Sequence, residues 1–324
     1  MKEYSNIISS LLEKYPRANL LQTPAIIHRL PRLSSTLGHD IYILRDDLTG
    51  FALGGNKTRK LDYLVGDAVG RKADTLVTMK ATSLSRNAAI AGSACGLDLH
   101  VVLAGTESDQ NPASQAIFSQ CGTKLHYVPE GESALPDVYN QLMKSLKTKG
   151  KAVYGLHPGG SDSIGALGYV RTFREILDFS CRSGIRFSHI IHSTSSAGTQ
   201  AGLVLGQSIS TYDTSIVGVA ASLKANVQSE RVRELALSTA NMLGVQLDET
   251  KIFVDDKFIG PGYAIPSEES KIAVKLFATL EGILLDQVYT GKAAAALLHY
   301  AKTGAFEGES VLFIHTGGNA GLFY

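Results

Sequence analysis

Gly54-Gly55-Asn56-Lys57-Thr58-Arg59-Lys60-Leu61-Asp62-Tyr63-Leu64 is the stretch from which the rest of the chain is read. Two glycines and an asparagine deliver a lysine to the start of a predicted helix. Asn56 is expected to cap that helix, and Leu61 and Leu64 give it an apolar face. Lys57 then lies at the positive end of the helix dipole, with Lys60 three residues on along the same face. Both features favour the neutral amine, the form that attacks a carbonyl to make a Schiff base. The run also reads as an ordinary basic helix start with solvated lysines, and alone it leaves both readings open.

The 324 residues are enough for two domains, or one large α/β domain, with a sizeable core. Lys plus Arg (31) nearly balances Asp plus Glu (30), so no broad field draws nucleic acid or anionic lipid. Cys95, Cys121 and Cys181 are scattered and form no CxxC pair. That argues against a disulfide framework or a structural metal site, and for a reducing, cytoplasmic compartment. Ile7, Ile8, Leu11 and Leu12 recur at helical spacing among charged residues, unlike a signal peptide. No later stretch is long enough to span a bilayer. The glycosylation-like triplet Asn56-Lys57-Thr58 is therefore read as accidental.

Short β-rich runs alternate with longer helical ones. Strands are expected at 41–45, 75–79, 99–103, 124–128, 189–193, 216–220 and 311–315. Helices are expected at 57–69, 85–95, 112–120, 135–149, 164–179, 199–208, 227–243, 268–280 and 291–302. The alternation implies right-handed βαβ crossovers and mostly parallel sheets. Glycine-rich breaks at Gly54-Gly55 and His157-Pro158-Gly159-Gly160 bracket about a hundred residues. The expected organisation is a large domain from 1–53 and 161–324, with a smaller α/β domain, 54–160, inserted. A cleft between them is the default ligand site.

Ser193-Thr194-Ser195-Ser196-Ala197-Gly198-Thr199-Gln200-Ala201-Gly202 follows an apolar strand and opens a helix. Small residues let backbone N–H groups approach an anion, and the helix dipole adds to the attraction. The run is neither a Walker A motif nor GxGxxG, and by itself it also fits a plain serine-rich turn. Beside Lys57 it gains meaning, because a reactive lysine plus a phosphate cradle is what a pyridoxal phosphate enzyme needs. Further on, Asp286-Gln287-Val288-Tyr289-Thr290-Gly291 precedes a helix, and the strand Val311-Leu312-Phe313-Ile314-His315 leads into Thr316-Gly317-Gly318-Asn319. A hydroxyl followed by two glycines can approach a flat ring without a clash. Core packing for Tyr289 and helix capping for Thr290 are the plainer alternatives. His315 reads as a satisfied strand-end histidine.

Taken together, these segments resemble the fold-type II pyridoxal phosphate enzymes, the tryptophan synthase β-like group. Within it the chain is most similar to the aminocyclopropane-carboxylate deaminase and D-cysteine desulfhydrase family. The similarity starts at Leu21-Gln22-Thr23-Pro24 and includes Arg45-Asp46-Asp47-Leu48-Thr49-Gly50, the lysine motif and Asp74-Thr75-Leu76-Val77-Thr78. It continues through His157-Pro158-Gly159-Gly160-Ser161, Gly165-Ala166-Leu167-Gly168-Tyr169-Val170 and Gly198-Thr199-Gln200-Ala201-Gly202 to the C-terminal segments. The resemblance implies two domains of twisted, mostly parallel sheet flanked by helices, pyridoxal 5'-phosphate as cofactor, and a homodimer.

By position, the resemblance makes Lys57 the residue that joins the cofactor aldehyde and later moves protons at the substrate α-carbon. Ser196, Ala197, Gly198 and Thr199 would cradle the phosphate. Tyr263 and Tyr289 match tyrosines facing cofactor or substrate, and Thr290 matches the position opposite the pyridine nitrogen. Cyclopropane-opening members carry glutamate at the Thr290 position and leucine at Thr316, whereas desulfhydrase-type members carry small hydroxyl residues at both. A neutral hydroxyl cannot match a carboxylate's charge beside the ring, so the ring would be a weaker electron sink. That fits α,β-elimination better than ring opening.

One segment departs from the pattern. After the strand 75–79, relatives carry Gln-Ser-Asn-His, whose serine and asparagine meet the substrate carboxylate and the cofactor's phenolic oxygen. Counting back from Gly96-Leu97 puts Ala81-Thr82-Ser83-Leu84 at those positions, with Arg86 on a family arginine. Thr82, Ser83 and Ser85 at this helix start, with Tyr263, are the expected substrate contacts, and Ser83 is a shorter stand-in at the phenolic oxygen. Lys80 either brings positive charge toward the site or points to solvent. The expected reaction is a deaminating α,β-elimination on a small amino acid such as D-cysteine. A β-replacement synthase, and a cofactor-binding protein whose altered 80–87 loop has lost turnover, are the alternatives.

Overall fold

The computed structural model describes residues 1–306, 310–318 and 322. Asn319, the expected turn residue, lies outside the described residues. Ten strands run β1 Ile27–Arg29, β2 Ile41–Arg45, β3 Thr75–Met79, β4 Asp98–Ala104, β5 Lys124–Val128, β6 Val153–Gly155, β7 Phe187–Thr194, β8 Ser215–Ala220, β9 Phe253–Asp255 and β10 Ser310–His315. Eleven α-helices run α1 Lys2–Leu12, α2 Pro31–Leu37, α3 Asn56–Gly70, α4 Ser83–Ala94, α5 Pro112–Gln120, α6 Leu135–Thr148, α7 Ser163–Ser183, α8 Gly198–Ile209, α9 Ala225–Leu243, α10 Glu268–Glu281 and α11 Thr290–Lys302. Every strand and helix expected between 41 and 315 forms, most within two residues of its expected ends. The short strands β1, β6 and β9 and helix α2 had not been expected.

The strands build two sheets. The larger has the order β1-β2-β10-β7-β8-β9, with β1 antiparallel and the rest parallel. The smaller is β5-β4-β3-β6, all parallel. Successive side chains on a strand point to opposite faces, which sorts the apolar residues into layers. Leu44, Ile190 and Leu312 enter a core with Leu167, Phe173 and Leu203 of α7 and α8. Their neighbours Ile43, Ile191 and Phe313 enter a second core with Phe277 and Leu297 of α10 and α11. Both faces of the large sheet are thus covered, as parallel sheets require. A third core joins Leu61 and Leu64 of α3 to Leu76, Leu84, Leu99 and Phe118 around the small sheet. Among the described residues, no helix is long and apolar enough to cross a membrane.

One local expectation is corrected. Asn56 does not cap α3, because it is the first residue inside the helix. Gly55 takes the cap position at φ +86°, a left-handed conformation suited to glycine. The Asn56 amide instead donates to Thr199 Oγ1 at 3.1 Å, tying the start of α3 to the start of α8.

Candidate active site

A cavity of about 500 Å³ opens where α3, α4 and α8 begin and where β10 ends. Its lining includes Lys57, Thr82, Ser83, Ser196, Ala197, Thr199, Tyr263, Tyr289 and Thr316, nine residues singled out from the sequence. Asn56 N–H donates to Thr316 O at 2.8 Å, so the lysine loop and the β10 exit are stitched together. His315, fully buried, holds that exit: Nε2 contacts Leu284 O at 2.9 Å, and Nδ1 accepts from Gly317 N–H at 3.3 Å. It is a satisfied histidine, as read from the sequence.

Lys57 is half-buried at the first turn of α3. Burial lowers its amine to about 8. A useful fraction is therefore neutral near pH 7, as a nucleophile for a carbonyl must be.

The residues around 196–199 fit a phosphate. Lys60 is fully buried, and its ammonium donates to Gly159 O at 3.2 Å and Ser161 Oγ at 3.1 Å. Among the described residues no carboxylate pairs with it. Burial, then the charge of Lys57, holds its amine well below the ordinary lysine value. A buried amine whose hydrogen-bond partners are neutral is poised to hold its proton when an anion arrives beside it. Gly198 leaves the opening, since a Cβ there would lie 3.0 Å from Lys60 Nζ and 2.7 Å from Ser161 Oγ. Ser161 Oγ also donates to Ser196 Oγ at 2.9 Å. Two further buried atoms of the lining, Ser193 Oγ and Asn87 Oδ1, lack a hydrogen-bond partner among the described residues. The cradle, the buried Lys60 amine and these atoms fit a small phosphorylated ligand that reacts at Lys57.

Thr82 and Ser83 open α4 and are exposed to the cavity. Tyr263 and Tyr289 bring their hydroxyls within 2.5 Å of each other. Burial, then the bond to Tyr263, pushes the Tyr289 phenol far above its usual range, so it serves as a proton donor and not as a phenolate.

Three expected contributors lie elsewhere. The Lys80 ammonium pairs with Glu132 at 2.8 Å, outside the lining, from a backbone at φ +69°. Ser85 is fully buried and closes the α4 cap, accepting from Thr82 N–H at 2.8 Å and donating to Thr82 O at 2.9 Å. Thr290 is buried behind the lining and bonded to Asp286. Lys60, Ser161, Asn87 and Asp286 went unassigned, because their roles depend on contacts between distant segments. Asp286 alone had a local signal, an acidic residue four before a helix-opening threonine.

A nucleophilic lysine beside an anion cradle, above the carboxyl ends of a parallel sheet, defines an enzyme built to hold a phosphorylated aldehyde. The chain belongs to the pyridoxal-phosphate dependent enzyme family, whose model matches residues 18–317. It is 39% identical over 320 residues to a Pyrococcus furiosus protein provisionally named 1-aminocyclopropane-1-carboxylate deaminase, spanning 98% of this chain and 96% of that one. It is 37% identical to D-cysteine desulfhydrase of Klebsiella pneumoniae, over 96% of this chain and 97% of that one. The solved structure of an ACC deaminase homologue superposes with a TM-score of 0.87 at 36% identity, covering 96% and 94% of the two chains. The fold is therefore that of the fold-type II pyridoxal phosphate enzymes.

Proposed function

We propose that this enzyme carries out a deaminating α,β-elimination on a small amino acid with a β-leaving group, D-cysteine or a close analogue. The observation that carries the reading is Lys57, its amine lowered to about 8, opening into the same cavity as the 196–199 cradle and the α4 hydroxyls. Bound there, pyridoxal phosphate supplies an aldehyde for the substrate amine and a ring that takes up electron density from the α-carbon. The protein's residues do the rest. Backbone N–H groups and hydroxyls of Thr82 and Ser83 receive the substrate carboxylate at the positive end of α4. Lys57 Nζ, once free, takes the α-proton as a neutral base. Tyr263 and Tyr289 share one proton across their contact, leaving the other hydroxyl proton for the departing group.

The relatives' names support both elimination and ring opening as chemistry for this site. We favour elimination because hydroxyl residues occupy both 290 and 316. We also read the chain as a cytoplasmic homodimer, with 54–160 as its inserted domain. Three free cysteines, a near-neutral charge and the family resemblance support that reading.

The test is a panel of both cysteine enantiomers, cysteate, serine, chloroalanine and aminocyclopropane carboxylate, read by release of keto acid and ammonia. D-Cysteine or a close analogue should give pyruvate and ammonia with no added nucleophile. Activity only with an added acceptor would favour replacement instead. Lys57→Ala should abolish turnover and the borohydride-fixed label while leaving the circular dichroism spectrum unchanged.

A further inference from the structure

Tyr263 reaches the cavity from the irregular segment between β9 and α10, and 55% of its surface is exposed. A ring that open is not held in place by a core. Among the described residues, two hydrogen bonds tie 260–266 to the rest of the chain. One is the contact of the Tyr263 and Tyr289 hydroxyls. The other comes from Lys292, fully buried in the first turn of α11, whose Nζ donates to Gly262 O at 2.8 Å. The same Nζ donates to Ala221 O at 3.2 Å.

The two carbonyls differ in how firmly they are fixed. Ala221 follows β8, and its N–H donates to Thr194 O at 3.0 Å, so it moves with the large sheet. Gly262 lies in the irregular segment and directly precedes Tyr263. Lys292 therefore joins a rigid point to a loose one. An amine carries two N–H donors when neutral and three when protonated, so both bonds persist in either state. Tyr289 takes the cap position of α11, three residues before Lys292. One helix start thus grips the segment twice, at the main chain of 262 and at the hydroxyl of 263. Lys292 does not line the cavity, so any effect it has on the reaction passes through Gly262.

We propose that Lys292 is a positioning residue for proton delivery: by anchoring Gly262 it holds the Tyr263 hydroxyl against that of Tyr289, where the pair can protonate the departing group. The inference rests on the elimination proposed above. In that step Lys57 Nζ takes the α-proton. The bond from the β-carbon to sulfur breaks with its electron pair on sulfur, and the tyrosine pair protonates the sulfur and regains a proton from water. A misplaced donor slows this step only where the leaving group needs the proton. Chloride departs as a stable anion and needs none.

The test compares D-cysteine with β-chloro-D-alanine on the enzyme loaded with pyridoxal phosphate. Lys292→Met fills the same volume without donors, while Gly262 O keeps Ile265 N–H at 3.3 Å. Its kcat for D-cysteine should fall about tenfold or more, while kcat for chloroalanine stays within about twofold of wild type. Tyr263→Phe should also lose D-cysteine turnover, and adding Lys292→Met to it should cost little more, because both act on one proton. Lys292→Gln retains two N–H donors on a shorter arm and should recover part of the D-cysteine rate. An unchanged D-cysteine rate, equal losses on the two substrates, or full additivity with Tyr263→Phe overturns the proposal. Should Lys292→Met fail to fold, the ratio of the two rates is read on Lys292→Gln, and an unchanged ratio overturns it in its place. Wild type that turns over both substrates, with variants that keep its ratio, removes this inference alone. Wild type that releases pyruvate from neither removes the functional reading and this inference with it.

Discussion

Lys57 acquires its chemistry from where the fold leaves it, and burial has a direct consequence for pH dependence. Its amine titrates at about 8 in the folded chain and at the ordinary lysine value when unfolded. Below about pH 8 the neutral fraction drops tenfold per pH unit. The rate at which cofactor-free protein captures pyridoxal phosphate should rise tenfold per unit up to about pH 8 and then level off. Stopped-flow absorbance reads this directly, and a flat profile from pH 6 to 9 would contradict the placement of the amine. The linkage sign follows: the unfolded chain binds the extra proton between about 8 and the ordinary value, so this group favours folding increasingly as pH rises through that window. Lys60 was read from the sequence only as a like charge beside Lys57. The structure gives it a second role, because its ammonium lies behind the cradle at Gly198.

At the scale of elements, α3 is locked to the large sheet by Arg59. Its guanidinium, almost fully buried, bonds Asp46 at 2.5 Å and Glu175 at 3.0 Å, and Tyr169 also bonds Asp46. Arg59→Met would leave buried Asp46 without its cationic partner, while Glu175 keeps Arg171 at 3.1 Å, at an expected cost of about 3–5 kcal/mol of unfolding free energy by urea titration. A loss below about 1 kcal/mol would show that Asp46 finds another partner or a proton. The lysine loop, the cradle and the main strands were legible in the sequence because each has a local signal: glycines before a cap, an apolar run, or a 3.6-residue period. The three-residue strands β1, β6 and β9 are too short to show a period, and their pairing is set by neighbouring strands. The direction of Lys80 was equally hidden, since it depends on a positive φ and on Glu132, fifty-two residues away. The Asp286–Thr290 bond was missed for another reason. Residue identity reveals that a hydroxyl is present, and only the folded turn reveals which way its proton goes.

Across the whole molecule, acid sensitivity should come in part from His192, fully buried on β7 just before the cradle. Nδ1 contacts Ser193 O at 3.0 Å, and Nε2 has no partner among the described residues. Burial lowers its titration to about 4, below the ordinary histidine value. Between the two values the unfolded chain binds the extra proton, so stability falls as pH drops from about 6.5 to about 4. That gap is worth roughly 3 kcal/mol. Urea titrations at pH 7 and pH 4 should show a smaller decline for His192→Gln than for the wild type, by about that amount. Equal declines would mean that other groups carry the acid limb. The buried amine of Lys60 bears on the same balance from the other side. In the empty chain burial works against a charge on this amine, and a phosphate ester arriving beside it makes that charge favourable. Vitamin supply then acts on the half-life of the polypeptide as well as on its output, because molecules still waiting for their ester open more often and meet proteases sooner.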